Sequence, residues 1–91
     1  MTDSPVWLIT GASRGIGAAM ARQAHEHGCR VAIVARSDAA DALAISLGEG
    51  AIAVRADVSN SASARSAVDQ TIEAFGRLDV VVNNAGVHRG G

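Results

Sequence analysis

Two residue types are missing from this 91-residue chain: it contains no tyrosine, and all eight of its basic side chains other than histidine are arginine, so it contains no lysine. Any mechanism that needs a phenol or a primary amine side chain cannot run on these residues alone. The single Cys29 has no partner for an intramolecular disulfide, and no signal-like segment precedes the first apolar run, so the expected compartment is a reducing cytoplasm. Cys29 is expected as a small apolar filler just before a strand. Every apolar run falls short of the ~20 residues that cross a bilayer, so no membrane span is expected. The net charge of −1 leaves no electrostatic footprint for nucleic acid or an anionic membrane. There is no internal repeat and no linker.

What is present suits a small core. Hydrophobic residues make up 48% and charged residues 19%, which excludes a disordered chain. The length allows one small domain or part of a larger one. After a polar tail over residues 1–5, Val6-Trp7-Leu8-Ile9-Thr10 is a strand apolar on both faces. A helix follows over residues 15–27, with Ile16, Met20 and Ala24 at i, i+4, i+8 as its core stripe. Gly28 ends it, and residues 30–35 form a second buried strand. A helix over residues 38–47 places Leu43 and Leu47 on one face, with Asp38 where it could cap the helix. Residues 51–55 form a third strand. A helix over residues 62–75 then has Ser59 or Asn60 as N-cap and Ala64, Val68, Ile72 and Phe75 as its stripe. Gly76 stops that helix, and residues 78–82 form the fourth strand. Strictly alternating strands and helices predict an α/β, doubly wound parallel sheet with right-handed crossovers. For a nucleotide-binding sheet of this kind the expected order is 3-2-1-4.

The most informative stretch is Thr10-Gly11-Ala12-Ser13-Arg14-Gly15-Ile16-Gly17, a glycine-rich turn from strand to helix. The start of a helix carries unpaired N–H groups and the positive end of the macrodipole, which suits a pyrophosphate. Gly11 is free to take backbone angles closed to other residues, and Gly15 and Gly17 lack the Cβ that would keep a ligand or the strand at a distance. The spacing T-G-x-x-x-G-x-G is neither G-x-G-x-x-G nor a Walker-type G-x-x-x-x-G-K-[ST], which would need a lysine. A ligand-free glycine connector is the plain alternative.

A second motif lies at the end of strand 4, where Asn83-Asn84-Ala85-Gly86 follows the valine run. With the glycine turn in order before it, and the pair Asp57-Val58 after strand 3, the chain resembles the short-chain dehydrogenase/reductase family of the classical type over residues 6–86. The resemblance implies the N-terminal part of a single Rossmann domain that binds NAD(H) or NADP(H) and serves hydride transfer between carbonyl and alcohol substrates. It implies that Gly11, Ser13, Arg14, Gly15, Ile16 and Gly17 hold the pyrophosphate, with Ser13 and the N–H groups near Ile16 as donors. Asp57 would accept from the adenine amine and Val58 would pack on the ring. Asn84, Ala85 and Gly86 would line the ribose beside the nicotinamide, with Asn83 tying the sheet together through backbone contacts. A turn-forming carboxylate is the alternative for Asp57.

Charge sets the expected cofactor. A 2′-phosphate needs a cation and a free ribose 2′-OH an acid. Arg36 and Ser37 follow strand 2, and Arg14 lies in the turn, so NADP(H) is expected, with NAD(H) as the second choice. An exposed Arg36 without function is the alternative. No metal site is expected: His25 and His27 are two apart on a helix, and His88 is isolated.

The family's catalytic Ser, Tyr and Lys find no counterpart here, so the chain alone is expected to be inactive, with no catalytic residue of its own. A carbonyl or alcohol substrate, and homo-oligomer formation, belong to the complete enzyme that the resemblance implies. The alternative is a non-catalytic nucleotide-binding or interaction module from a truncated member of the family. Strand 4 is expected as an edge, which makes the isolated chain marginally stable and prone to associate.

Overall fold

Strands β1 (Val6–Thr10), β2 (Arg30–Ala35), β3 (Ala51–Arg55) and β4 (Val80–Asn83) alternate with helices α1 (Gly15–Glu26), α2 (Ala39–Leu47) and α3 (Ser61–Phe75) in the computed structural model. It describes residues 4–11, 15–36 and 38–83. The strands form one parallel sheet in the order β3-β2-β1-β4. This is the doubly wound arrangement expected from the alternation. Trp7 stands opposite Val31 on one side and Val80 on the other, and Thr10 lies between Val34 and Asn83. No helix among the described residues is long and apolar enough to cross a membrane.

Apolar residues on both faces of each central strand require cover on both sides. Ile9, Val31 and Ile33 point into a core with Ala18, Ala21 and Ala24 of α1 and Ala40, Leu43 and Ala44 of α2. Leu8, Ala32, Val34 and Val54 point the other way, against Ala67 of α3. Ile9 and Ile33 are fully buried, worth about 1.5–3 kcal/mol each relative to exposure.

Two helix faces differ from the sequence expectation. In α1 the buried residues are Gly17, Ala18, Ala21 and Ala24, while Ile16 is 73% exposed. Small side chains let the helix axis approach the sheet closely, and that gain outweighs the burial of one large residue. In α3 the inner stripe is Ala67, Thr71 and Phe75, with Val68 at its margin and Ile72 turned outward. Thr71 is tolerated inside because its hydroxyl donates to Ala67 O at 2.8 Å, leaving its methyl to pack.

The caps also sort themselves. Asn60 is the N-cap of α3, its side chain accepting from the N–H groups of Ala62 and Ser63 at 2.9 and 3.2 Å. Asp38 occupies the N-cap position of α2 without a side-chain capping bond. β4 begins at Val80, two residues later than the apolar pattern suggests. Leu78 packs into the α3 core, and the Asp79 carboxylate does what a strand carbonyl would do. Its Oδ2 accepts from Val6 N at 2.8 Å while Asp79 N donates to Val6 O at 2.9 Å. Arg77 grips the same carboxylate through Nε and Nη2, at 2.9 and 2.8 Å.

Candidate functional site

All four strands point their C-terminal ends to one edge of the sheet, because all the pairings are parallel. Chain order reverses between β1 and β4, and such a switch point opens a crevice outside the strand ends. The glycine turn leaves β1 on one side of that crevice, and Asn83 ends β4 on the other. Thr10, buried at the end of β1, links the two: its hydroxyl donates to Asn83 Oδ1 at 3.1 Å and lies 3.4 Å from Val82 O. The Asn83 side chain thus joins the backbone contacts that the sequence suggested.

Gly11 has φ +65° and Gly15 φ +67°, both in the region that favours glycine. Gly11 is as expected, and its N–H donates to Val34 O at 2.9 Å. A Cβ at Gly15 would meet no atom of the described residues within 4 Å, so among those residues it is the backbone conformation that selects glycine there. Gly17 is buried in α1, where a small residue lets the helix seat. The first N–H groups of α1, at Gly15, Ile16 and Gly17, lack intrahelical acceptors, and no acidic side chain occupies that first turn. The helix therefore presents donors and a positive dipole end to the crevice. Ser13, Arg14, Ser37, Asn84, Ala85, Gly86 and His88 lie outside the described residues.

Arg36 directly follows β2 and is exposed. Asp57 follows β3, and its Oδ1 accepts from both the hydroxyl and the N–H of Ser59, at 2.6 and 3.1 Å. Those two bonds, the hydroxyl's first, hold the Asp57 carboxyl below its ordinary value; desolvation opposes them, and the nearby charge of Arg36 adds a lesser lowering. The carboxylate is therefore ionised and acceptor-only at neutral pH. Val58 is half-buried against the α3 core. Ser59 was expected only as a candidate cap; the D-x-S spacing, a common turn in which an aspartate binds its own backbone two residues on, was the available signal. His25 and His27 serve the scaffold, with Nε2 of His25 2.7 Å from Glu49 O and Nδ1 of His27 2.9 Å from Gln23 O.

A family model described as short chain dehydrogenase matches residues 5–91. An uncharacterized oxidoreductase of Methylorubrum extorquens is 44% identical over 91 residues, covering 94% of this chain and 37% of that protein. Among solved structures, a 3-ketoacyl-(acyl-carrier-protein) reductase from Brucella melitensis complexed with NADH superimposes with a TM-score of 0.83 at 36% identity, over 89% of this chain and 34% of that one. A short chain dehydrogenase/reductase from Burkholderia phymatum in complex with NAD gives 0.82 at 32% identity, over 88% and 30%. The chain spans about a third of the length of the curated relatives it matches, 37%, 34% and 33% for the first three.

Proposed function

The chain belongs to the short-chain dehydrogenase family, and on that footing we propose that it is the NADP(H)-binding segment of an oxidoreductase acting on a carbonyl or alcohol substrate. In this reading residues 6–91 are the N-terminal part of one Rossmann domain, preceded by a short tail. The bound cofactor would give or take a hydride. This chain's residues hold and orient it: the N–H groups at the start of α1 face the pyrophosphate, Asp57 faces the adenine amine, and Asn84, Ala85 and Gly86 line the ribose by the nicotinamide. The relatives crystallised with NADH and NAD support a nicotinamide dinucleotide in this crevice. The observation that carries the choice of NADP(H) is the exposed Arg36 immediately after β2, with Arg14 assigned to the same phosphate.

A specific observation favours NAD(H) as the second reading. The Asp38 carboxylate makes no capping bond, so it is not committed to the helix and is available to a ribose hydroxyl. Calorimetric titration of the folded chain with NADPH and NADH separates the two. Arg36→Ala is expected to weaken NADPH by about tenfold, the scale of a charge-assisted hydrogen bond, and to leave NADH nearly unchanged. Tighter NADH binding that is lost in Asp38→Asn would replace NADP(H) by NAD(H). With no tyrosine and no lysine to manage the proton, the 91 residues alone are expected to show no turnover with either cofactor.

A further inference from the structure

We infer that Ser59 is a positioning residue for adenine recognition: it pins one oxygen of the Asp57 carboxylate and thereby leaves the other oriented for the exocyclic amine of the base. The inference rests on the reading above, in which Asp57 faces adenine. Both Ser59 donors converge on the same atom, Oδ1, at 2.6 and 3.1 Å. No described residue donates to Asp57 Oδ2. A surface aspartate held by the N–H alone keeps rotational freedom about its side chain; a second bond from the hydroxyl two residues on removes it. The segment is itself anchored, since Asn60 N donates to Asp57 O at 3.0 Å and Asn60 caps α3. Ser59 therefore connects a fixed helix end to a carboxylate that would otherwise wander.

The chemistry of the partner follows from donor and acceptor types. An ionised carboxylate can only accept, so the group facing Oδ2 must donate. Adenine offers an amine at its six-position, whereas hypoxanthine offers an oxygen there, which a fixed carboxylate repels. A carboxylate free to turn would evade that repulsion and discriminate less. Ser59 thus governs which base is accepted, while Arg36 is assigned the 2′-phosphate.

The test is a calorimetric titration of the full chain with NADPH, NADH and the hypoxanthine counterpart of whichever binds tighter, with folding checked by circular dichroism. The wild type is expected to prefer adenine by about tenfold, and Ser59→Ala to reduce this to about threefold or less, the scale of one hydrogen bond to a charged group. The NADPH-to-NADH ratio should stay fixed, and Ser59→Thr, which keeps the hydroxyl, should restore the base preference. An unchanged base preference in Ser59→Ala overturns the role of Ser59, as does a fall in both ratios together, which would mark general loosening of the loop. Dinucleotide binding with no base preference in the wild type overturns the placement of Asp57 against adenine, and the role of Ser59 with it, while leaving the glycine turn standing. Binding of neither dinucleotide to the folded wild type overturns the cofactor reading itself.

Discussion

The runs Arg30–Ala35 and Val80–Asn83 are both rich in β-branched residues, yet β2 buries Val31, Ala32, Ile33 and Val34 almost completely while β4 leaves Val81 57% exposed. The difference is one of neighbours. β2 lies between β1 and β3 with helices on both faces, whereas among the described residues β4 pairs with β1 alone. The same side-chain chemistry is thus a core in one strand and an open margin in the other, and nothing in the local pattern separates them. Among the described residues the far side of β4 is unpaired, and a run of valines with no lysine, proline or charge among its four residues has the makings of a template for another strand.

The largest expected effect breaks the comparison at its buried end. Ile33→Ala should cost about 2–5 kcal/mol in urea denaturation followed by circular dichroism, because the cavity lies between two helices and two neighbouring strands. Val81→Ala should cost far less. Equal losses would mean that β4 is not a margin in solution. An intermediate effect is expected at Asp79, whose carboxyl is held below its ordinary value by Arg77 and then by the Val6 N–H. Its stabilisation is complete above the unfolded carboxylate pKa and is lost as pH falls through the lower folded value. Acid titration of the folded fraction should therefore show a drop below about pH 4 that Asp79→Ala lacks, that variant being less stable already at neutral pH. A titration identical in wild type and variant would remove the clamp from the list of contacts that hold β4. The smallest expected change in stability is at Val81→Lys, within about 0.5 kcal/mol, but sedimentation velocity should show less self-association than in the wild type. Undiminished association would move the sticky surface elsewhere, with the exposed Ile16, Ile45 and Ile72 as the next places to look.

Much of the architecture was legible because punctuation and alternation are local. The bounds of β1, β2 and β3 follow from apolar runs between glycines and polar turns, while the strand order was expected only because the glycine turn marks a nucleotide-binding sheet. The helix faces were less legible, because counting large apolar residues favours Ile16 over Gly17 and Ile72 over Thr71. What decides those faces is how close a helix can sit and whether a hydroxyl can satisfy itself on the previous turn, and both are properties of the packed state. Near the site, the positive φ of Gly11 and the turn-forming contacts of the Asp57 carboxylate were readable from residue type and spacing. The Asp79 clamp was not, since its partner Val6 is 73 residues away in sequence. Nor could spacing reveal that the Asp38 side chain makes no capping bond.

The clamp between Val6 and Asp79, together with the Thr10–Asn83 bond, also sets a schedule. Among the described strands β1 lies inside the sheet yet precedes the others in the chain, and its second neighbour, β4, is the last of them to be made. At about 5–20 residues per second of synthesis, the 73 residues from the one after Val6 through Asp79 take roughly 4–15 s to appear. Through that interval one side of the first strand has no mate, so the nascent chain passes through a stage in which its middle is its rawest surface. A chaperone bound to the emerging chain would find its target at Val6–Thr10, four of whose five residues are buried in the folded sheet.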